Sequence, residues 1–171
     1  MIVVSDTSPL NYLILVNGVD VLHALYGTVC LPEAVERELK APEAPAPVRD
    51  WIMAPPSWLE IRKVSTTIES GLQLHAGERE AIALARELGV LLLMDDFDGR
   101  SEARRLGLDV VGTLGVLDNA ADRGLLDFTT MLGQLLRTSF RVAPDLLEQL
   151  RQRESLRRQR DADKEKPSEP A

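Results

Sequence analysis

Four acidic residues stand where a folded chain gains least from an acid: Asp6, Glu38, Glu78 and Asp96. Asp6 closes the apolar run "IVVS" and precedes Ser8-Pro9, a helix-start signal in which Ser8 already supplies the cap. In the helix expected over 75–89, at roughly 100° per residue, Glu78 falls among Ala81, Ile82, Ala85 and Leu88. Glu80 and Glu87 fall on the opposite face, where solvated glutamates belong. A first-turn acid complements the helix dipole, which accounts for an acid in that turn but not for its place in the apolar stripe. Glu38 repeats the anomaly within 32–40, between the directions of Ala34 and Leu39, although a margin position on a short helix is the plainer reading. Asp95 and Asp96 together end "LLLM", where capping needs one aspartate, and Asp98-Gly99 reads as turn chemistry.

Converging carboxylates repel. Two unit charges about 4 Å apart cost roughly 1 kcal/mol in water and about 4 kcal/mol at an effective dielectric of 20. Such a cluster persists only with a counter-charge. His23 lies within a helix and His75 at a helix start, so neither supplies it. A donor set of oxygens alone selects a hard cation, Mg2+ or Mn2+. A carboxylate-held cation of that kind polarises a phosphate oxygen and lowers the pKa of a bound water, the chemistry of phosphodiester hydrolysis.

The elements that must position these acids alternate. Continuous apolar runs at 2–5, 28–31, 90–94 and 108–112 read as core strands, and 58–64 alternates weakly, as an edge strand does. Helices are expected after Pro9, over 18–27, 32–40, 75–89 and 99–107, with two or three more from Thr113 to about Arg153. Residues 41–48, "APEAPAPV", read as a proline-rich loop. Strands alternating with helices, and strands apolar on both faces, predict an α/β fold: a parallel sheet covered by helices on both sides. In such sheets, sites form beyond the carboxyl ends of the strands, where Asp6 and the 95–98 acids lie. One domain is expected over 1–152, followed by a charged, disordered tail over 153–171.

Composition excludes several classes. The 171-residue chain carries a formal net charge of −7, which argues against a wholly nucleic-acid-binding surface but leaves room for a local basic patch. No apolar run approaches the roughly 20 residues needed to cross a bilayer, and the start lacks a secretory n-region and h-region. A cytoplasmic protein is therefore expected, without membrane association. The single cysteine, Cys30, excludes an internal disulfide framework and a cysteine-based zinc cluster.

These motifs resemble the PIN-domain family, the fold of the VapC-type ribonuclease toxins, over roughly 1–150. A strand ending in Asp6 and followed by Thr-Ser is similar to the family's opening motif. "LPEAVERELK" is similar to the helix that supplies its glutamate, here Glu38. "GEREAIALARELGVLLLMDD" is the most specific part: an acid at a helix start, alanines, Gly89, an apolar strand, and a second acid at 96, 18 residues after Glu78. "DDFDGRSEARRLGLDVVGTLGVL" looks still more like one PIN-like subgroup known only as a domain of unknown function. Two positions depart from the toxins: Glu78 stands where they carry aspartate, and Met94-Asp95 where many carry threonine.

The resemblance implies a three-layer fold with sheet order 3-2-1-4-5. It implies a Mg2+- or Mn2+-dependent endoribonuclease, with Asp6, Glu38, Glu78 and Asp96 as catalytic and metal-binding residues and Asp95 and Asp98 as accessory ones. It also implies a homodimer and a cognate antitoxin partner, as in a type II toxin–antitoxin pair. Ser8, Arg100 and Arg104 are candidate contacts to the RNA substrate; the two arginines share a helix face at i, i+4. Arg151, Arg153, Arg157, Arg158 and Arg160 offer a second basic cluster, but acids interleave with it. Few aromatics are available for base stacking. A PIN-like binding module without activity predicts the same fold. A phosphotransfer domain is disfavoured, because an aspartyl-phosphate hydrolase wants a second aspartate at position 8, where Ser8 stands, and a receiver wants a lysine that does not follow Asp96 until Lys164.

Overall fold

The computed structural model describes residues 1–68 and 73–164. They fall into two compact units, Met1–Val116 and Leu117–Ala171.

The first unit is built on five parallel strands: β1 (Ile2–Ser5), β2 (Thr28–Pro32), β3 (Leu59–Arg62), β4 (Leu91–Leu93) and β5 (Val110–Val111). Their order is β3-β2-β1-β4-β5. Between them run α1 (Thr7–Leu15), α2 (Val21–Tyr26), α3 (Glu33–Lys40), α4 (Ala46–Met53), α5 (Ala76–Leu88) and α6 (Phe97–Arg105). The fold is therefore α/β, as the apolar strands predict. Register sets Val4 beside Cys30 and Leu92. Because side chains alternate along a strand, these three share one face. They pack with Ala81, Ile82 and Ala85 of α5 and Ala103 of α6. Cys30 is a free, buried thiol within that cluster, the small hydrophobe its sequence context suggests.

The chain leaves β1 towards β2 on one side and returns through β4 towards β5 on the other. The sheet order thus reverses at the β1–β4 pair, and the carboxyl ends of those strands flank the switch point where α/β sheets form sites. Asp6 follows β1 directly. Asp95 and Asp96 follow β4 after Met94. The termination of α5 also follows the sequence: Gly89 adopts the left-handed conformation (φ 63°) that ends a helix at little cost in glycine.

Two local expectations need correction in this unit. The proline-rich stretch does not stay a loop, since α4 begins at Ala46 with Pro47 in its first turn, where a missing N–H costs nothing. The run 108–112 yields a two-residue, half-buried edge strand rather than a core strand, because β5 has a neighbour only in β4.

The second unit contains the rest of α7 (Thr113–Asp122), α8 (Phe128–Leu135) and α9 (Pro144–Lys164). The disordered tail expected from 153 is corrected over 153–164, which are helical; residues 165–171 lie outside the described residues. α9 is polar nearly all round, yet Leu150, Glu154 and Arg157 are buried at i, i+4 and i+7. The Arg157 guanidinium bonds Asp118 (2.6 Å), Asp122 (2.8 Å) and Glu154, and stands 5.8 Å from the Phe128 ring centre. Arg153 pairs with Asp118 at 2.7 Å, and Arg158 with Glu154 at 2.8 Å. Acids on α7 and α9, with Asp127 at the cap of α8, thus occupy most of the arginines that could have formed a basic cluster. No helix among the described residues is long and apolar enough to cross a membrane.

Candidate active site

Asp6 is the buried centre of the acidic group. Its backbone N–H donates to Leu93 O at 2.9 Å, which extends the β1–β4 ladder by one step and fixes the residue at the switch point. The side chain is 3% exposed, and Oδ1 is buried with no hydrogen-bond partner among the described residues. Burial pushes the carboxyl pKa up to about 7; the Thr7 amide opposes that, and repulsion from Glu78, Glu38 and Asp95 adds to it.

The helix-start expectation around Asp6 is corrected. α1 begins at Thr7, so Asp6 itself holds the N-cap position with extended backbone (φ −76°, ψ 173°), and Ser8 is the second helical residue. The Asp6 carboxylate nevertheless makes no side-chain capping bond. Pro9 is tolerated third in the helix because its absent N–H is one of the four that a helix start leaves unpaired.

Glu38 is brought in from α3 and held at both oxygens. Thr7 Oγ1 donates to Oε2, and the Gly77 N–H donates to Oε1 at 2.9 Å. A Cβ at Gly77 would fall 2.6 Å from Glu38 Oε2, so a side chain there would push the Glu38 carboxylate from its place. Glu78, one residue on, accepts the His75 N–H at 2.8 Å. His75 occupies the N-cap of α5, the helix start expected for it. Glu80 is corrected from a solvated position. It is half-buried, accepts the Ala34 N–H at 2.8 Å and approaches Arg37 at 3.6 Å, so it ties α5 to the start of α3.

The two aspartates that follow β4 have different partners. Asp96, expected as the fourth ligand, caps α6 by accepting the Gly99 N–H at 2.8 Å. Asp95, expected as accessory, adds its charge to the repulsion on Asp6. Its Oδ1 accepts the Thr113 N–H at 2.8 Å and its Oδ2 accepts Thr113 Oγ1 at 2.6 Å. Burial raises its pKa, offset in part by those two bonds and by the Arg100 charge. Asp98 is exposed in the first turn of α6. Arg100 is half-buried and donates to Met94 O at 3.1 Å, whereas Arg104 is exposed one turn further along.

The structure thus brings together Asp6, Glu38, Glu78 and Asp95, and turns Asp96 to a helix end. Sequence reasoning missed Thr7, Gly77 and Thr113. Thr7 and Thr113 share a signal that could have found them: each is the first residue of a helix that starts just past the carboxyl end of a parallel strand, which is where α/β sites collect.

The donors suit a hard divalent cation. All are carboxylate oxygens, and the orphaned, buried Asp6 Oδ1 is an acceptor that a cation would satisfy. Among the described residues, no three His, Cys, Asp or Glu side chains already form a metal-ligating group. Glu38 and Glu78 are each engaged by a backbone amide.

A family model described as "DUF3368: PIN domain" matches residues 2–155. No curated protein is significantly similar to the chain. Among solved structures it is similar to a PilT N-terminus domain protein, SSO1118, from the hyperthermophilic archaeon Sulfolobus solfataricus P2. That likeness has 17% identity and a TM-score of 0.49, and covers 84% of this chain and all of the other. PIN domains are generally nucleases, and they usually use divalent metal ions. The match over residues 2–155, joined to the five-stranded 3-2-1-4-5 sheet, makes this chain a member of the PIN-domain family.

Proposed function

We propose that the chain is a Mg2+- or Mn2+-dependent endoribonuclease, acting as the toxin of a type II toxin–antitoxin pair. The observation that carries the reading is Asp6: a buried carboxylate with an orphaned oxygen, at a switch point, surrounded by like charge. A fold gains nothing from that arrangement, and a cation resolves it. Asp6, Glu38, Glu78 and Asp95 would hold the ion, with Asp96 within one residue of them. When bound, the ion polarises a phosphate oxygen and acidifies a water.

The protein's own groups do the remaining work. Thr7 and Gly77 orient Glu38 through its two oxygens. The His75 amide orients Glu78. Exposed Arg104 is available to a substrate phosphate beside the site, while Arg100 is committed to Met94 O. Ser8, at the second position of α1, is a further substrate contact in this reading. The partners that go with it are an RNA substrate, a second copy of the chain, a cognate antitoxin, and a cytoplasmic setting.

A second reading, a PIN-like binding module with little activity, is favoured by one observation: Glu38 and Glu78 are tied to backbone amides, and no ready metal-ligating group exists among the described residues. Cleavage of a mixed RNA substrate with and without Mg2+ separates the two. The nuclease reading expects Mg2+-dependent cleavage that Asp6→Asn lowers by at least a hundredfold. RNA binding without cleavage at any Mg2+ or Mn2+ concentration establishes the second.

A further inference from the structure

Asp95 is held at both of its carboxylate oxygens. Thr113 grips it twice, amide to Oδ1 at 2.8 Å and hydroxyl to Oδ2 at 2.6 Å. Thr113 is fully buried. The residue before it, Gly112, completes the cradle, since a Cβ there would fall 2.8 Å from Asp95 Oδ1 and 2.5 Å from Arg100 Nη1. The ladder bond from Asp6 N–H to Leu93 O sets Asp6 alongside the end of β4, two residues before Asp95. Asp96, the neighbour with the more obvious spacing, spends Oδ2 on the α6 start.

A plain structural account of the same contacts exists: Asp95 accepts the first amide of α7, so it is a helix cap supplied from a distance. That account does not explain the second bond. A cap needs one oxygen, whereas Thr113 Oγ1 takes the other and fixes the rotation of the carboxylate plane. Fixing that plane is what a metal ligand requires, and the groups behind ligands typically govern affinity by tenfold to a hundredfold.

We infer that Asp95 is a metal ligand of this site and that Thr113 is its positioning residue, while Asp96 serves α6. The inference rests on the nuclease reading, because it presupposes a cation among the acids. Thr113 acts through Asp95 and touches neither ion nor RNA.

The test is calorimetric titration of Mn2+ into the full-length wild type, Thr113→Val, Thr113→Ser, Asp95→Asn, Asp96→Asn and Asp6→Asn, with a thermal melt of each. Thr113→Val keeps the amide bond and the side-chain shape but deletes the hydroxyl. It is expected to weaken Mn2+ by about tenfold or more, and Thr113→Ser to restore affinity to within about threefold. Asp95→Asn is expected to weaken Mn2+ by at least as much, and Asp96→Asn to lower the melting temperature with Mn2+ affinity changed less than about threefold. A purely structural Thr113 would lower the melting temperature of Thr113→Val and leave its Mn2+ affinity at the wild-type value, which overturns the inference. So does an Asp96→Asn variant that loses Mn2+ while Asp95→Asn keeps it. If Thr113→Val does not fold, Gly112→Ala presses on the same carboxylate and must weaken Mn2+ in its place. Loss of Mn2+ in Asp6→Asn alone defeats the inference and leaves the nuclease reading standing. A wild type that binds no Mn2+ defeats both.

Discussion

Two regions of this protein collect carboxylates, and they resolve the resulting repulsion in opposite ways. Around Arg157, the carboxylates of Asp118, Asp122 and Glu154 meet a guanidinium, and Arg153 and Arg158 take up further oxygens. Hydrogen bonding to Arg157 holds the Asp122 pKa below its ordinary value. Burial tends to lower the Arg157 pKa, and its bonds to Asp122, Asp118 and Glu154 more than offset that. Around Asp6 the same residue types gather, but the donors are backbone amides and two threonine hydroxyls, and Asp6 Oδ1 has none among the described residues. The first cluster is complete within the chain and works as structure. Among the described residues the second has no hydrogen-bonding partner for Asp6 Oδ1, and the proposed function rests on that deficit. Acid count does not separate the two; the supply of counter-charge does.

The largest way to break this comparison is to remove the counter-charge where it exists. Arg157→Met takes the buried guanidinium away from Asp118 and Glu154 and leaves each only its more exposed partner, Arg153 or Arg158. It is expected to cost about 3–5 kcal/mol in urea denaturation, in line with a buried pair stripped of one partner. A loss below about 1 kcal/mol would mean that the ion network is incidental to α9.

Next in size is the pH dependence of Asp6. Its folded pKa, about 7, lies above the ordinary 3.8. The folded state therefore binds this proton more tightly than the unfolded state does. Stability falls as pH rises from about 4 to about 7 and is then level, a cost approaching roughly 4 kcal/mol. Chelator-treated wild type and Asp6→Asn, denatured at pH 5 and pH 8, should show this. The wild type weakens across the interval relative to the variant. Parallel behaviour would show that Asp6 carries no such penalty.

The smallest expected effect is the control. Lys40 and Glu36 form a 2.6 Å pair at i, i+4, with side chains 39% and 27% exposed. Lys40→Gln should change stability by about 0.5 kcal/mol or less, and more so at low salt than at high. A larger loss would show that exposed pairs matter here as much as the Arg157 network.

The fold was legible because its signals are local. "IVVS", "TVCL" and "LLL" are short, apolar runs that only a sheet covered on both faces can use. Helix 76–88 declares itself by its period and by Gly89. Asp6 and Glu78 were legible for a related reason, as polar residues breaking a local apolar pattern. What escaped was long-range. The clamp on Asp95 spans 18 residues to Thr113, so nothing near "MDDFD" separates Asp95 from Asp96. The helix over 153–164 rests on Asp118 and Asp122, 39 and 35 residues from Arg157, and a polar stretch gives no periodic sign of partners so far away. Glu80 was misplaced because its partner, the Ala34 amide, belongs to another helix.

The central claim is that the acids around Asp6 await a divalent cation. Calorimetric titration of Mg2+ into wild type and Asp6→Asn at pH 7.5 tests it most directly. The account predicts saturable binding by the wild type, and binding reduced at least tenfold in Asp6→Asn. Equal affinity in the two proteins, or no binding to the wild type, would contradict it.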